Sequence, residues 1–325
     1  MKKVFISGQI PSAAKELLLR HFEVSSHEGK NLLSPEEIKR QMEGAEALLC
    51  LLSDQISKEI IESNPNLKII ANYGAGFNNI DVSFATERKI PVTNTPAVST
   101  NATADMTWSL ILGIARRMVE GDKLTRAGGF TGWAPLFHLG TEVTGKTLGI
   151  FGMGNIGQAV AKRAKGFDMK IIYHSRSRKS PLLEKELGLE YVSFQELLKR
   201  SDFLTLHSSY SPELHHLIGE SELREMKKSA FLINAARGAM INEKVLAEAL
   251  KTGVIAGAGL DVYEFEPQVT EELVSLDNVI LAPHLGNATI ETREAMAQIA
   301  AQNIIEVLEG RKALNCVNPA VYDRS

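Results

Sequence analysis

The chain has 325 residues, 44% of them hydrophobic and 23% charged, with a formal net charge of −3. It is long for one domain, and the composition is that of an ordinary globular protein. A near-neutral balance excludes the electrostatic footprint of a nucleic-acid or acidic-membrane binder.

Two cysteines, Cys50 and Cys316, are too few for a disulfide framework, and neither sits in a CxxC pair. This fits a reducing compartment. The start, Met1–Gly8, has too short an apolar run for a signal peptide, and no run of ~18 apolar residues exists. A cytoplasmic protein without a membrane partner is expected.

Apolar strand-like runs alternate with amphipathic helical stretches, the pattern of a parallel α/β fold. Val4–Ile6 reads as a strand and leads through Pro11 into a helix carrying Leu17, Leu18 and Leu19. Ala47–Leu52, Leu67–Ala71 and Pro91–Asn94 read as further strands. Ala102–Arg117 reads as a long helix, with Ser99, Thr100 and Asn101 as candidate caps. Gly128–Pro135 holds too many Gly and Pro residues for a regular element and reads as an arm.

A fresh βαβ series begins at Lys146–Phe151. Strand candidates follow at Lys170–Tyr173, Phe203–His207, Phe231–Asn234, Ala256–Leu260 and Val279–Leu281. Six strands suffice for a doubly wound sheet. The last helix, Glu291–Glu309, lies beyond that sheet and would bury its apolar face by returning to the first domain. The expected domains are 1–98 with 291–325, and 99–290.

Gly152, Gly154 and Gly157 form a GxGxxG turn between a strand and a helix. Such a turn brings backbone N–H groups and a helix N-terminus up to a pyrophosphate. Asn155 and Ile156 lie within it. The acidic residue expected about 20 residues on, which would bind an NAD ribose, is absent. Ser175, Arg176, Ser177, Arg178 and Lys179 stand there instead. Hydroxyls and guanidinium groups suit a 2′-phosphate, so NADP is expected, with NAD possible.

Three polar residues follow three late strands: Arg237, Glu266 and His284. In open α/β sheets the carboxyl ends of strands line the ligand crevice. There the arginine would clamp a substrate carboxylate, the histidine would carry the proton, and the glutamate would orient the imidazole. No His/Cys cluster at metal-ligand spacing is seen, and no metal is expected. His215 and His216 read as a surface turn, and His207 as a structural hydrogen-bonding residue.

These motifs carry a resemblance. The segments Asn72–Asp81 (NYGAGFNNID), Gly152–Gly157 (GMGNIG), Ile233–Gly238 (INAARG), Gly259–Pro267 (GLDVYEFEP) and Pro283–Thr289 (PHLGNAT) occur in this order. The chain resembles the D-isomer-specific 2-hydroxyacid dehydrogenases over nearly its whole length. Leu51–Asp54, Trp133–Leu136 and the Ser-Arg-rich loop look most like the glyoxylate/hydroxypyruvate reductase branch. Asn287 departs from the Ser of many members, and Ala236 and Ala239 vary the arginine motif, which leaves fine substrate contacts open.

The resemblance implies two doubly wound parallel-sheet domains, a Rossmann nucleotide-binding domain inserted in a flavodoxin-like substrate domain, with an active site in the cleft between them. It implies Arg237, Glu266 and His284 as the catalytic set. It implies that backbone amides at Ala75 and Gly76 hold the substrate carboxylate alongside Arg237 and His284. Asp261 would hold the nicotinamide carboxamide near the Ala235 carbonyl, and Ser209, Arg237, His284 and Gly286 would border the cofactor. The expected reaction is reduction of a short 2-oxo acid to a D-2-hydroxy acid. Homodimerisation through the 102–145 helix and arm is implied too. Reductases of 2-oxo sugar acids, phosphoglycerate dehydrogenases and nucleotide-sensing corepressors of the same family stay open as alternatives. The short stretch after the last helix is expected to leave no room for the regulatory domain that some phosphoglycerate dehydrogenases carry.

Overall fold

Strand and helix alternate along the chain to give two parallel sheets. The computed structural model describes residues 1–323. It divides into two units, Met1–Ser99 with the segment from Ala288 onward, and Thr100–Asn287. The expected bounds are 1–98 with 291–325, and 99–290.

The first unit holds β1 (Lys3–Ile6), β2 (Glu23–Ser26), β3 (Ala47–Leu51), β4 (Ile69–Tyr73) and β5 (Val92–Thr93) in the order β2-β1-β3-β4-β5, all parallel. That order is the flavodoxin-like one. β3 and β4 are apolar and buried almost throughout because helices cover both faces of the sheet. β2 escapes the sequence reading because it is an edge strand. Its Glu-Val-Ser-Ser pattern alternates between exposed and half-buried positions.

The helix Ile290–Leu308 belongs to this unit, as its stranded apolar face requires. Thr289 caps it by accepting from the Thr292 amide. Met296, Ala297, Ala300, Ala301, Ile304 and Leu308 are buried at helical spacing in one cluster with Ala14, Leu18 and Ala71. The alanines allow close approach. A fully buried Ile such as Ile304 contributes about 1.5–3 kcal/mol. The Tyr73 hydroxyl donates to the Arg293 carbonyl at 2.7 Å.

The second unit holds β6 (Thr147–Phe151), β7 (Lys170–His174), β8 (Leu189–Tyr191), β9 (Phe203–Leu206), β10 (Phe231–Asn234), β11 (Gly257–Leu260) and β12 (Val279–Leu281). Their order is β12-β11-β10-β9-β6-β7-β8, all parallel. This is the doubly wound Rossmann arrangement with one strand more than the expected six. The addition, β8, is a three-residue edge strand, too short to show a period.

The helix Thr100–Ala115 packs Leu110, Ile111 and Ile114 into this unit's core. Arg117, with φ 52°, breaks it and starts a second helix, Met118–Arg126, which has no buried residue. Residues 127–146 form neither helix nor strand, as the Gly and Pro content predicts. Trp133 and Leu136 on this arm are each 84% exposed. Among the described residues no helix is long and apolar enough to cross a membrane.

Candidate active site

β6 pairs with β7 on one side and β9 on the other, so the winding reverses beside it. Carboxyl ends of strands at such a reversal border a ligand crevice. The glycine turn leaves β6 at this point. Gly152 has φ +95°, and a Cβ there would lie 2.6 Å from the Ser208 amide nitrogen. A Cβ on Gly157 would stand 2.2 Å from the Gly152 carbonyl oxygen. Glycine is therefore required at both for the helix to start against the strand. Gly154 is different: nothing lies within 4 Å of its Cβ position. It caps the helix Asn155–Ala164 without any side-chain hydrogen bond. The helix start is thus left open toward a ligand, and a dinucleotide pyrophosphate fits it.

The loop after β7 is held by a buried-side network. Arg178 donates to Glu184 through Nε at 2.9 Å and Nη2 at 2.8 Å. The Tyr173 hydroxyl donates to Glu184 at 2.8 Å and accepts from the Lys179 amide at 2.8 Å. Arg178 above all, then Tyr173, pull the Glu184 carboxyl down to about 2. This alters the reading of Arg178, whose guanidinium is already matched by a carboxylate and so fixes the loop. Arg176 and Ser177 are exposed, and Ser175 donates to the Ser177 carbonyl at 2.8 Å. Arg176 has no ion-pair partner among the described residues.

Arg237, Glu266 and His284 come together at the ends of β10, β11 and β12. Asn234 folds the turn after β10: its amide nitrogen donates to the Arg237 carbonyl at 2.9 Å, and its oxygen accepts from the Ala236 amide at 3.0 Å. A Cβ on Gly238 would overlap the Tyr263 carbonyl carbon at 1.8 Å, so only glycine lets the two turns touch. Arg237 is half-buried and donates from Nη1 to the Ala236 carbonyl at 2.7 Å. Burial pulls its pKa down, and the Glu266 charge opposes this.

His284 Nδ1 lies 2.9 Å from Glu266 Oε2, and Glu266 Oε1 accepts from the Tyr263 amide at 2.9 Å. Desolvation pushes the Glu266 carboxyl up, yet its hydrogen bonds to His284 and Tyr263 and the charges of His284 and Arg237 together hold it below the usual range. An ionised carboxylate thus receives one imidazole nitrogen, and Nε2 is left for a reacting group.

Asp261 follows β11 at its carboxyl end. It is 1% exposed, and its two oxygens accept from the Leu285 amide at 2.6 Å and the Gly286 amide at 2.7 Å. Burial nonetheless raises its pKa. Its carboxylate therefore anchors the loop that carries His284. Thr103 assists by donating to the Gly286 carbonyl at 3.1 Å. Ala235 is half-buried in the turn after β10, and Ser209 is exposed in the loop after β9.

Ala75 and Gly76 lie in the first unit, in the turn after β4. Asn94 donates to the Ala75 carbonyl at 2.7 Å and Asn72 to the Gly76 carbonyl at 2.5 Å. The carbonyls are thus tied, while the two amides have no acceptor among the described residues. Free amides in a turn of this kind can receive an anion.

Two features escape the sequence. His215, His216 and Glu264 converge, although Glu264 is remote in sequence. The sequence predicts a hydrogen-bonded His207, but both its ring nitrogens are buried without a partner. Burial pushes its pKa down to about 3. An unfolded histidine titrates near ~6.5, so between these values only the unfolded chain takes up the proton. The native state is then fully favoured above ~6.5 and loses ground as pH falls toward about 3. Urea unfolding at pH about 7.5 and about 5 should show a smaller acid loss for His207→Leu than for the parent. Equal losses would mean that His207 finds a partner in solution.

The geometry can be set beside known proteins. Residues 108–286 match the family model described as the D-isomer specific 2-hydroxyacid dehydrogenase, NAD binding domain. A putative 2-hydroxyacid dehydrogenase of Staphylococcus epidermidis is 54% identical over 98% of this chain and 100% of its own length. A solved protein from Thermus thermophilus is 42% identical with a TM-score of 0.92, covering 97% of this chain and 99% of its own. An NADPH-dependent glyoxylate/hydroxypyruvate reductase from Sinorhizobium meliloti, solved with NADP and malonate, is 31% identical with a TM-score of 0.86, covering 100% and 99%. With its two parallel sheets, its NAD(P)-binding turn and its matched length, the chain belongs to the D-isomer specific 2-hydroxyacid dehydrogenase family.

Proposed function

We propose that this protein is an NADPH-preferring reductase of short 2-oxo acids, glyoxylate and hydroxypyruvate, giving D-2-hydroxy acids. The observation that carries the reading is the Glu266–His284 contact at 2.9 Å, with Arg237 electrostatically coupled to it. Arg237 binds the substrate carboxylate and polarises the carbonyl. His284 donates its Nε2 proton to the developing alkoxide, and Glu266 favours the protonated ring. When bound, the nicotinamide supplies the hydride. Gly152, Gly154, Asn155, Ile156 and Gly157 hold the pyrophosphate. Ser209, Ala235 and Gly286 would border the cofactor, and Asp261 would hold the nicotinamide carboxamide near the Ala235 carbonyl.

Coenzyme preference rests on the loop after β7. No carboxylate stands at 175–179 to accept a ribose 2′-hydroxyl, and Arg176 is exposed beside Ser175 and Ser177. Arg178 and Lys179 shape the loop. Similarity to an NADPH-dependent glyoxylate/hydroxypyruvate reductase supports the same preference and substrate class. Charge-assisted hydrogen bonds contribute about 1.5–3 kcal/mol each, so NADPH should be favoured by roughly tenfold or more, with some NADH activity kept. Initial rates with glyoxylate and hydroxypyruvate and both coenzymes test this. His284→Ala should lower kcat by about 10²-fold or more with coenzyme binding retained. Arg176→Ala should weaken NADPH and scarcely touch NADH. Better use of NADH, or near-parental kcat without His284, would refute the assignment.

Trp133, Leu136 and Phe137 leave much apolar surface on the arm. We infer that a second copy of the chain covers it, through the arm and the helix starting at Thr100. Sedimentation at micromolar concentration should give a dimer, and Trp133→Ser should shift it toward monomer. A monomeric parent protein would remove this inference.

A further inference from the structure

His215, His216 and Glu264 meet within the second unit, apart from the acid–base pair. One candidate ligand atom from each lies within 4.8 Å of the other two. The rings of His215 and His216 stack with centroids 3.9 Å apart, and His216 Nε2 is 2.6 Å from Glu264 Oε1. We propose that these three side chains form a binding site for a divalent transition metal of the Zn²⁺ class, and that its occupation slows turnover.

The donor set suits such an ion. Two neutral imidazoles and a carboxylate match zinc chemistry, and the exposed side of His215 leaves room for water as a fourth ligand. Ligands at about 2.0–2.1 Å in a tetrahedron stand about 3.3 Å apart, so the donors need to move by ~1.5 Å or less. The two rings must turn out of their stack to aim nitrogens at one point. The ion takes the place of the hydrogen between His216 Nε2 and Glu264 Oε1, and the imidazole keeps its one N–H on Nδ1.

The backbone already holds these residues in place. The His216 amide donates to the Ala239 carbonyl at 2.9 Å, and His216 has φ 52°, a left-handed state that is uncommon without glycine. The Glu264 amide donates to the buried Glu243 at 2.6 Å, and Thr270 donates to the other Glu243 oxygen at 2.6 Å. A plain His216–Glu264 hydrogen bond accounts for two of the three residues. Besides the stack on His216, it leaves His215 with a 3.5 Å polar approach to the Tyr210 hydroxyl. The effect on turnover follows from position. Tyr263, next to Glu264, donates its amide to Glu266, so a load on Glu264 acts on the segment that sets the Glu266 carboxylate.

Titration calorimetry of the full chain with ZnCl₂ tests binding without assuming any reaction. One equivalent should bind, and His215→Ala and Glu264→Gln should each weaken it by about tenfold or more. Cu²⁺ in the same site should give an electron paramagnetic resonance spectrum with two-nitrogen coupling, reduced to one in His215→Ala. His215→Ala should keep the metal-free rate and lose inhibition by Zn²⁺. Absence of saturable Zn²⁺ binding, or unchanged affinity in both variants, would overturn the site. Binding that leaves the parent rate unchanged would overturn the coupling to turnover. Failure of the reductase assay itself would bear on the proposed function and leave the calorimetry standing.

Discussion

The buried carboxylate of Asp261 is the constraint on which the carboxyl end of the second sheet depends. It sits at the end of β11 and receives two successive amides, those of Leu285 and Gly286, from the loop after β12. Leaving such buried donors unpaired costs about 1–3 kcal/mol each. The loop therefore has one low-energy course. That course puts His284 at φ 54°, a conformation that costs a non-glycine residue about 1–3 kcal/mol and persists only where its surroundings demand it. The imidazole is thereby turned toward Glu266.

Glycines carry the same logic to neighbouring turns. Gly238 lets the turn after β10 touch the backbone at Tyr263 and Glu264, which brings the Arg237 charge to bear on Glu266. Gly152 and Gly157 let the helix Asn155–Ala164 begin against β6. Arg237, Glu266 and His284 are thus positioned by main-chain contacts between strand ends. Side chains such as Asn234 and Thr103 then lock those turns.

Much of this was legible in the sequence because it rests on short-range chemistry. Strand–turn–helix punctuation revealed β6 and its glycine turn. Buried central strands read as apolar runs, and β10 and β12 appear at their expected residues. The edge strands β2 and β8 were hidden because their sequences, Glu-Val-Ser-Ser and Leu-Glu-Tyr, lack the apolar run that revealed β12. Polar pairings across long separations were equally invisible. Nothing local announces that Arg178 is neutralised by Glu184, that Asp261 binds two amides, or that Glu264 meets His215 and His216. The unpartnered ring of His207 is a property of packing, which composition and spacing do not encode.

The central claim is that Glu266 acts through His284 as one acid–base unit, the carboxylate favouring the protonated ring that reduction requires. The direct test is the pH dependence of kcat/KM for hydroxypyruvate reduction with NADPH, in the parent protein and in Glu266→Gln. Glu266 is held below the ordinary carboxylate range, so it stays charged across the neutral region and its influence is felt on the alkaline limb. Removing that charge should move the alkaline limb to lower pH by roughly one unit or more, with a reduced plateau. An alkaline limb at the same pH in both proteins would contradict the account.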